Sequence, residues 1–367
     1  MKQRILRVLN AAGLPVLEPV VRLCAGEAPR TQLRALALTG GVPVLAFGIF
    51  LLLWSGLARG IQTKYGTVPT PGEVWTQAGN LWRDHVRSRE AAAEFRRQQE
   101  EKARALDQAA REARTGATAA AEPDRGRLLE RAASLAARAE SARRARTAAA
   151  PTYVDQILTS LKTVFAGFLI ASAVAVPLGI LCGLSAAFRA ALNPMIQVFK
   201  PVSPLAWLPI VMIIVGALYT TDPADAWFEK SFLSSAITVA LCSLWPTLIN
   251  TAHGVASIDR NHMNVARVLR LGAWKRVRKI VLPSALPLIF TGLRLSLGVG
   301  WMVLIAAEML AQNPGLGKFV WDMFQNGSRQ TLAQIMVAVF TIGAIGFLLD
   351  RAMILLQKSV SYDGAAA

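Results

Sequence analysis

Long stretches of this sequence contain no charged residue, and they constrain the possible folds more than any other feature. Uncharged runs of 24, 26, 21, 28 and 20 residues lie at 35–58, 163–188, 201–221, 231–258 and 330–349. A sixth apolar run, 280–307, is interrupted only by Arg294. Because an α-helix rises ~1.5 Å per residue, about 20 apolar residues cross the ~30 Å hydrocarbon core of a bilayer. Each run is therefore long enough to span a membrane.

These runs predict an all-α integral membrane protein with six transmembrane helices, since a helix satisfies all its own backbone hydrogen bonds in lipid. The spans are expected near 36–57, 159–184, 195–218, 232–253, 285–310 and 331–356. Only 17% of the residues are charged, against ~25% in an average soluble domain, which excludes an ordinary soluble enzyme. More than thirty residues precede the first run, so that run is predicted to remain as a span rather than to be cleaved as a signal.

The short loops predict the orientation, because cytoplasmic loops carry an excess of lysine and arginine. The segment before the first span and the loop after the fourth span are both basic. We therefore place both termini in the cytoplasm. The resulting domains are an interfacial N-terminal segment (1–34), the first span (35–58), an insertion on the outer side of the membrane (59–152), the transmembrane core (153–357) and a cytoplasmic tail (358–367).

The insertion at 59–152 differs in composition from the rest of the chain. It is rich in alanine, arginine, glutamate and glutamine, which are strong helix formers. Two long helices are expected near 72–114 and 123–150, forming a coiled-coil hairpin outside the membrane. It is either a solvated spacer or a docking arm for an extracytoplasmic partner. Nucleic acid is not expected to bind, because its charges are mixed and no aromatic residues lie between them.

No motif for catalysis or metal binding is found in the sequence. The string Gly315-Leu-Gly-Lys-Phe319 lacks the spacing of a phosphate-binding loop. The three histidines, His85, His253 and His262, do not cluster at metal-ligand spacing. No catalytic residue, metal site or cofactor is therefore predicted in this chain, and energy for transport must come from a partner or an ion gradient.

Ionisable residues inside membrane spans mark functional sites, because burying charge in lipid is costly. Arg294 and Glu308 lie in the fifth predicted span, and Asp350 lies near the inner end of the sixth. Arg294 is expected either to attract an anion or to pair with backbone carbonyls. Glu308 is either a residue of the outer rim or part of the pathway. Asp350 is expected to pair with the adjacent Arg351 or with a basic loop.

The basic loop at 257–287 has an amphipathic helical pattern, too charged to span the membrane and too apolar for a flexible linker. An apolar face rimmed with arginines favours a protein partner on the cytoplasmic side, with the anionic leaflet as the alternative. Leu282-Pro283 is expected to end this helix before the fifth span begins.

The loop resembles the signature loop of the permease subunits of bacterial ABC importers, whose pattern is Glu-Ala-Ala, three residues, Gly, nine residues, Ile-x-Leu-Pro. With Leu282-Pro283 as the anchor, Ile280 is in register and Arg270 takes the position of the glycine. Asn264, Val265 and Ala266 take the Glu-Ala-Ala positions. Further strings resemble the nitrate, sulfonate, taurine and bicarbonate group, and most of all its nitrate permeases: 201–209, 243–251, 290–296 and 306–310.

The resemblance implies a homodimeric permease of the type I importer kind in a bacterial inner membrane, with residues 59–152 in the periplasm. A coupling loop at 258–282 is implied to dock on a separate ATPase subunit. Other implied partners are a periplasmic or lipid-anchored substrate-binding protein and membrane lipid, with ATP and Mg²⁺ bound by the ATPase. The residues implied in coupling are Asn264, Val265, Ala266, Arg267, Arg270, Leu271, Gly272, Ile280, Leu282 and Pro283. Those expected along the substrate path are Arg294, Glu308, Trp207 and Asn250.

The substrate implied by the resemblance is a small anion, with nitrate or nitrite first and bicarbonate, cyanate or a small sulfonate such as taurine as alternatives. A different class of protein also fits the ionisable residues. It is a proton-coupled secondary transporter that uses Glu308 and Asp350 as a relay.

Overall fold

A computed structural model describes residues 18–24, 29–63, 66–119, 121, 123–145, 150–220, 227–259, 261–262, 264 and 268–360. The helices are α1 (Glu18–Cys24), α2 (Pro29–Gly60), α3 (Pro71–Ala119), α4 (Asp124–Arg144), α5 (Tyr153–Leu184), α6 (Ala186–Phe199), α7 (Pro204–Leu218), α8 (Lys230–Ala256), α9 (Ala273–Ala311), α10 (Leu316–Asn326) and α11 (Arg329–Val360). Two short antiparallel strands, β1 (Gln62–Thr63) and β2 (Gly66–Thr67), connect α2 to α3.

Five of the described helices, α2, α5, α8, α9 and α11, are long and apolar enough to cross a membrane. They lie where the first, second, fourth, fifth and sixth spans were predicted. The third span was expected near 195–218, where the chain has two helices, α6 and α7, that meet at a bend of 102°. This pair counts as the sixth span if both helices are taken together.

Proline causes the bend between α6 and α7. Pro201 and Pro204 have no backbone N–H to continue a helix through 200–203. The Ser203 hydroxyl then accepts a hydrogen bond from the Leu205 amide at 3.3 Å and caps α7. A hydropathy profile does not reveal the bend between α6 and α7, because an unbroken helix and a bent pair of helices have the same apolar composition.

The core of the membrane-spanning part is the pair α8 and α9, which pack closely through small and hydroxylated residues. Pro246 lies inside α8, and one turn of this helix is completed by a side chain from α9. The Ser296 hydroxyl donates to the Ser243 carbonyl at 2.5 Å and accepts from the Thr247 amide at 3.0 Å. A side chain inserted between these backbone groups is a recognised cause of helix bending, so α9 supports the proline-containing turn of α8.

The chain separates into two compact units, one formed by Gly79–Asp155 and the other by Met1–Ala78 with Gln156–Ala367. The smaller unit is a helical hairpin of α3 and α4, at the positions where two long helices were predicted. Most of its buried residues are alanines, and five of these repeat every seven residues along their helix: Ala103, Ala110 and Ala117 on α3, and Ala132 and Ala139 on α4. A seven-residue repeat keeps one stripe of a helix facing its neighbour, and the small side chains allow a close approach.

In the larger unit, the start of α3 is held by a reciprocal cap. The Thr70 amide donates to Glu73 at 2.9 Å, in the capping-box arrangement that a Thr-x-x-Glu sequence favours. The second oxygen of Glu73 pairs with Arg329 at 2.5 Å. The first turn of α3 is thereby tied to the first turn of α11.

Candidate functional site

The segment that follows α8 carries the exposed apolar and basic side chains predicted for the coupling loop. Val268 is 82% exposed and Trp274 is 76% exposed. Asn264 and Gly272 are also exposed, and Leu271 is half-buried. Three of the residues implied in coupling, Val265, Ala266 and Arg267, lie outside the described residues. Apolar side chains open to solvent beside basic ones are typical of a protein-docking surface.

Arg270 has the backbone conformation that a glycine favours. Its φ is +48°, in the left-handed region where a side chain is disfavoured. Arg270 stands at the position of the signature glycine in the alignment anchored on Leu282-Pro283. The backbone therefore shows a physical reason for a glycine at this position, although this chain has an arginine there.

Replacing Arg270 with glycine is expected to stabilise the loop by about 0.5–1 kcal/mol, because it removes the left-handed strain. The amides of Leu271 and Gly272 should then exchange with deuterium more slowly in the purified protein. The control is Lys275→Gly, which lies in the first turn of α9 and should lose stability instead. Faster exchange in Arg270→Gly would contradict the assignment.

Leu282-Pro283 does not end a helix, contrary to the prediction. α9 runs without interruption from Ala273 to Ala311 and includes Ile280, Leu282 and Pro283. A π-helical turn at Val277–Val281 lies directly before the proline. The wider turn shifts the backbone hydrogen bonds, with the Leu282 amide donating to the Val277 carbonyl. The proline, which has no amide hydrogen, is thus accommodated and the loop continues rigidly into the span.

Arg294 and Asp350 form a two-point ion pair between α9 and α11. The Arg294 Nε donates to Asp350 at 2.5 Å and its Nη2 donates to the second oxygen at 3.0 Å. Asp350 was expected to pair with Arg351 or with a basic loop, and it pairs with Arg294 instead. Arg351 lies over the ring of Phe347 at 5.1 Å, because consecutive residues on a helix point in different directions.

Two more polar contacts flank this ion pair along α9 and α11. The Gln357 amide nitrogen donates to the Pro287 carbonyl at 3.3 Å, and the Trp301 indole donates to the Ile342 carbonyl at 3.0 Å. Pro287, Arg294 and Trp301 are spaced seven residues apart. The antiparallel helices are therefore joined at three successive levels, with the ion pair in the middle.

The Arg294 pair faces an open cleft rather than the protein interior. Its two side chains are 42% and 41% exposed, and Thr291, Gly298 and Met302 line the same cleft of about 500 Å³. A guanidinium has five N–H donors and stays charged. Asp350 takes two of these donors, so three remain directed at other partners.

Glu308 is fully buried (0% exposed) and acts as a helix cap. Its carboxylate accepts hydrogen bonds from the Ser160 hydroxyl at 2.8 and 2.9 Å and from the Gly317 amide at 3.0 Å. The Ser160 oxygen in turn accepts from the Leu316 amide at 2.8 Å. A carboxylate at a helix N-terminus satisfies free amides and favours the helix dipole. Glu308 therefore joins α9, α5 and the start of α10.

Gly315 and Gly317 surround the Glu308 carboxylate closely. A Cβ on Gly315 would overlap the carboxylate, and a Cβ on Gly317 would overlap the Ile305 carbonyl. Asn313 is also buried and donates to the Thr163 hydroxyl at 3.1 Å. The Gly-Leu-Gly string thus has a structural role, in which it leaves space for a buried acid.

Trp207 and Asn250 do not join the Arg294 cleft. The Trp207 ring lies 5.8 Å from the ring of Phe199, which stacks on Trp245 at 6.4 Å, beside the bend between α6 and α7. Asn250 donates to the Pro246 carbonyl of its own helix at 2.8 Å. The four residues expected along one path thus occupy separate places in the described structure.

Sequence reasoning missed Ser160, Gly315 and Gly317, which complete the Glu308 site. The available signal for a capped helix N-terminus was the Gly315-Leu-Gly317 string, which follows Glu308 closely and opens a short helix. No group of three or more His, Cys, Asp or Glu side chains suited to a metal is found among the described residues.

Comparison with known proteins identifies the family. Residues 175–362 match the family described as binding-protein-dependent transport system inner membrane component. A bicarbonate transport system permease protein of Synechocystis is 41% identical over 207 residues, which cover 56% of this chain and 68% of that protein. A nitrate import permease protein of Synechocystis is 37% identical over 205 residues, covering 56% and 69%.

Among solved structures, the methionine ABC transporter MetNI in an inward-facing conformation matches with 14% identity and a TM-score of 0.48, covering 57% of this chain and 96% of that chain. The family match covers half of this sequence and agrees with the resemblance to ABC importer permeases found in the sequence. This multi-pass membrane protein therefore belongs to the binding-protein-dependent inner membrane components, the permease subunits of ABC importers, in which separate subunits hydrolyse ATP.

Proposed function

We propose that this chain forms the membrane path of an importer for a small planar oxyanion, either nitrate or bicarbonate. Relatives named for each of these anions match the chain at similar identity. Both anions are planar with a single negative charge, and each presents at least two charged oxygens in that plane, so one pair of N–H donors serves either. The resemblance favoured nitrate as the substrate, and the named relatives support bicarbonate equally well.

The observation that carries the proposal is the exposed Arg294–Asp350 pair inside two spans. Charged side chains facing hydrocarbon are costly, so the cleft beside them is expected to hold water or protein. Arg294 offers its three remaining donors to an oxyanion, and a planar guanidinium suits such a group. Asp350 lowers the net attraction, which fits a transport site that must also release its ligand.

The coupling loop completes the proposed mechanism. Two copies of the chain are proposed to face each other, with both termini and residues 257–272 in the cytoplasm. ATPase subunits dock on the exposed Val268 and Trp274 and close on ATP. Because α9 is continuous from Ala273 to Ala311, movement of the loop is transmitted directly to Arg294. ATP binding then shifts the population between outward-open and inward-open states.

A proton-coupled carrier is less consistent with the contacts of its two candidate carboxylates. Glu308 is buried and accepts from two donors, the Ser160 hydroxyl and the Gly317 amide, and Asp350 is paired with Arg294. Both contacts hold helices together.

The test is uptake by proteoliposomes that contain the permease, its ATPase and its binding protein. ATP-dependent uptake of labelled nitrate or bicarbonate, with competition by the other anion, is the expected result. Uptake of a sulfonate or cyanate with no competition by either planar anion would overturn the proposal.

Arg294→Gln is expected to reduce the apparent affinity for the anion by about tenfold or more, since it removes charge-assisted hydrogen bonds. Asp350→Asn should instead lower KM, because the Arg294 guanidinium then keeps its full positive charge for the anion. It should also lower kcat, because the anion is released more slowly. Both parameters are measured by initial uptake rates in proteoliposomes. Arg351→Gln, a neighbouring exposed cation, is the control. Equal effects of Arg294→Gln and Arg351→Gln on KM would contradict the assignment.

A further inference from the structure

A second polar groove lies between α6 and α8, away from the Arg294 cleft. Its volume is about 290 Å³, room for roughly ten water molecules at ~30 Å³ each. Its polar lining comes mainly from α6 and the residue that follows it, with one residue from α8, and the rest of the lining is apolar. The polar residues are Arg189, Asn193, Gln197, Lys200 and His253. We refer to it as the α6–α8 groove.

The α6–α8 groove is lined by two cationic side chains, Arg189 and Lys200, and by no acidic one among the described residues. Neither α6 nor α8 contains an aspartate or a glutamate. Arg189 is held by the Cys182 and Gly183 carbonyls at 3.0 and 3.1 Å, at the end of α5. Carbonyls at a helix end favour a cation without cancelling its full charge. Three of its five N–H donors remain for another ligand.

The groove runs along the last third of α8, from Leu248 to Ala256, the end nearest the coupling loop. At its other side lies Lys200, which directly follows Phe199 at the end of α6. The exposed ammonium of Lys200 is left with water or an anion as its partner, because hydrocarbon does not solvate charge.

We propose that the α6–α8 groove binds a small oxyanion and forms the half of its route nearest the coupling loop. Lys200 and Arg189 supply the charge, and His253, Asn193 and Gln197 supply neutral hydrogen-bond partners. This proposal rests on the proposed function and adds a second anion-binding site to the transport path. The anion passes from the Arg294 cleft to a separate, positively charged exit.

Charge-selective labelling of the assembled transporter tests the groove without relying on transport. Gln197→Cys is introduced into a protein with Cys24, Cys182 and Cys242 replaced by alanine. Its reaction rates with an anionic sulfonatoethyl and a cationic trimethylammonioethyl methanethiosulfonate are compared. The control is Ala190→Cys, exposed on α6 but outside the groove. A positive groove should favour the anionic reagent about tenfold relative to the control.

Two further measurements complete the test. Lys200→Gln should remove most of this preference, and millimolar nitrate or bicarbonate should slow the labelling of Gln197→Cys but not of Ala190→Cys. Equal preference at both positions, no effect of Lys200→Gln, or no protection by either anion would each overturn the groove proposal. Uptake assays on the unlabelled transporter decide the proposed function independently.

Discussion

Replacing Gly317 with alanine is expected to destabilise the protein by about 2–3 kcal/mol, the upper range for forcing an extra group into a packed site. The new Cβ would overlap the Ile305 carbonyl, which is backbone, and approach the Glu308 Cβ at 2.9 Å. Backbone in the last turns of α9 has to move before this overlap is relieved. The Glu308 carboxylate would then lose its contact with the Gly317 amide.

The measurement is thermal unfolding of the purified permease in detergent, where the midpoint should fall by about 5 °C or more. Gly343→Ala is the matched control, because no atom lies within 4 Å of its added Cβ and alanine favours the helix. A Gly317→Ala midpoint equal to that of Gly343→Ala would show that the junction is looser than the structure indicates.

The second large effect is expected for Glu308→Ala. This change leaves the Ser160 hydroxyl and the Gly317 amide without the carboxylate acceptor they share, and each buried orphan costs about 1–3 kcal/mol. The expected loss is therefore about 3 kcal/mol or more. Glu308→Gln keeps an oxygen that accepts from both donors, so it should retain most of the stability.

Comparing the two variants also separates a structural role from a proton relay. Glutamine does not carry a titrating proton, so a relay would lose uptake in Glu308→Gln even when the protein is fully folded. A cap predicts uptake per folded molecule close to wild type, with the loss confined to Glu308→Ala. Asp322→Asn, which removes an exposed partner of Lys318, is the control and should change the thermal midpoint little.

Glu308 illustrates the limit of reasoning from a membrane span alone. A carboxylate in an apolar run indicates that some compensating partner exists, because the isolated charge is too costly. The partners came from α5 and from the first turn of α10, 148 and 9 residues away in sequence. A hydropathy profile describes only neighbouring residues and does not report such distant contacts. A role for Glu308 at the outer rim of the span and a role in the substrate pathway were therefore equally consistent with the sequence.

The loop signature shows the opposite case, in which sequence register anticipated local geometry. The alignment placed Arg270 at the glycine position, and the structure has a left-handed backbone there. The same alignment did not anticipate that α9 continues through Pro283. A π-helical turn depends on which backbone groups pair over five residues, and residue preferences do not specify that pairing.

The sequence by itself determined the fold class, the places of the spans, the prolines that break the third of them, and the family. These features depend on the length of apolar runs and on local residue patterns, which are properties of consecutive residues. Tertiary structure alone decided the pairing of Arg294 with Asp350 and the cap formed by Glu308. Both features join residues far apart in the chain. In a membrane the choice of partner for each buried charge is made by which helices pack together, because lipid itself offers none.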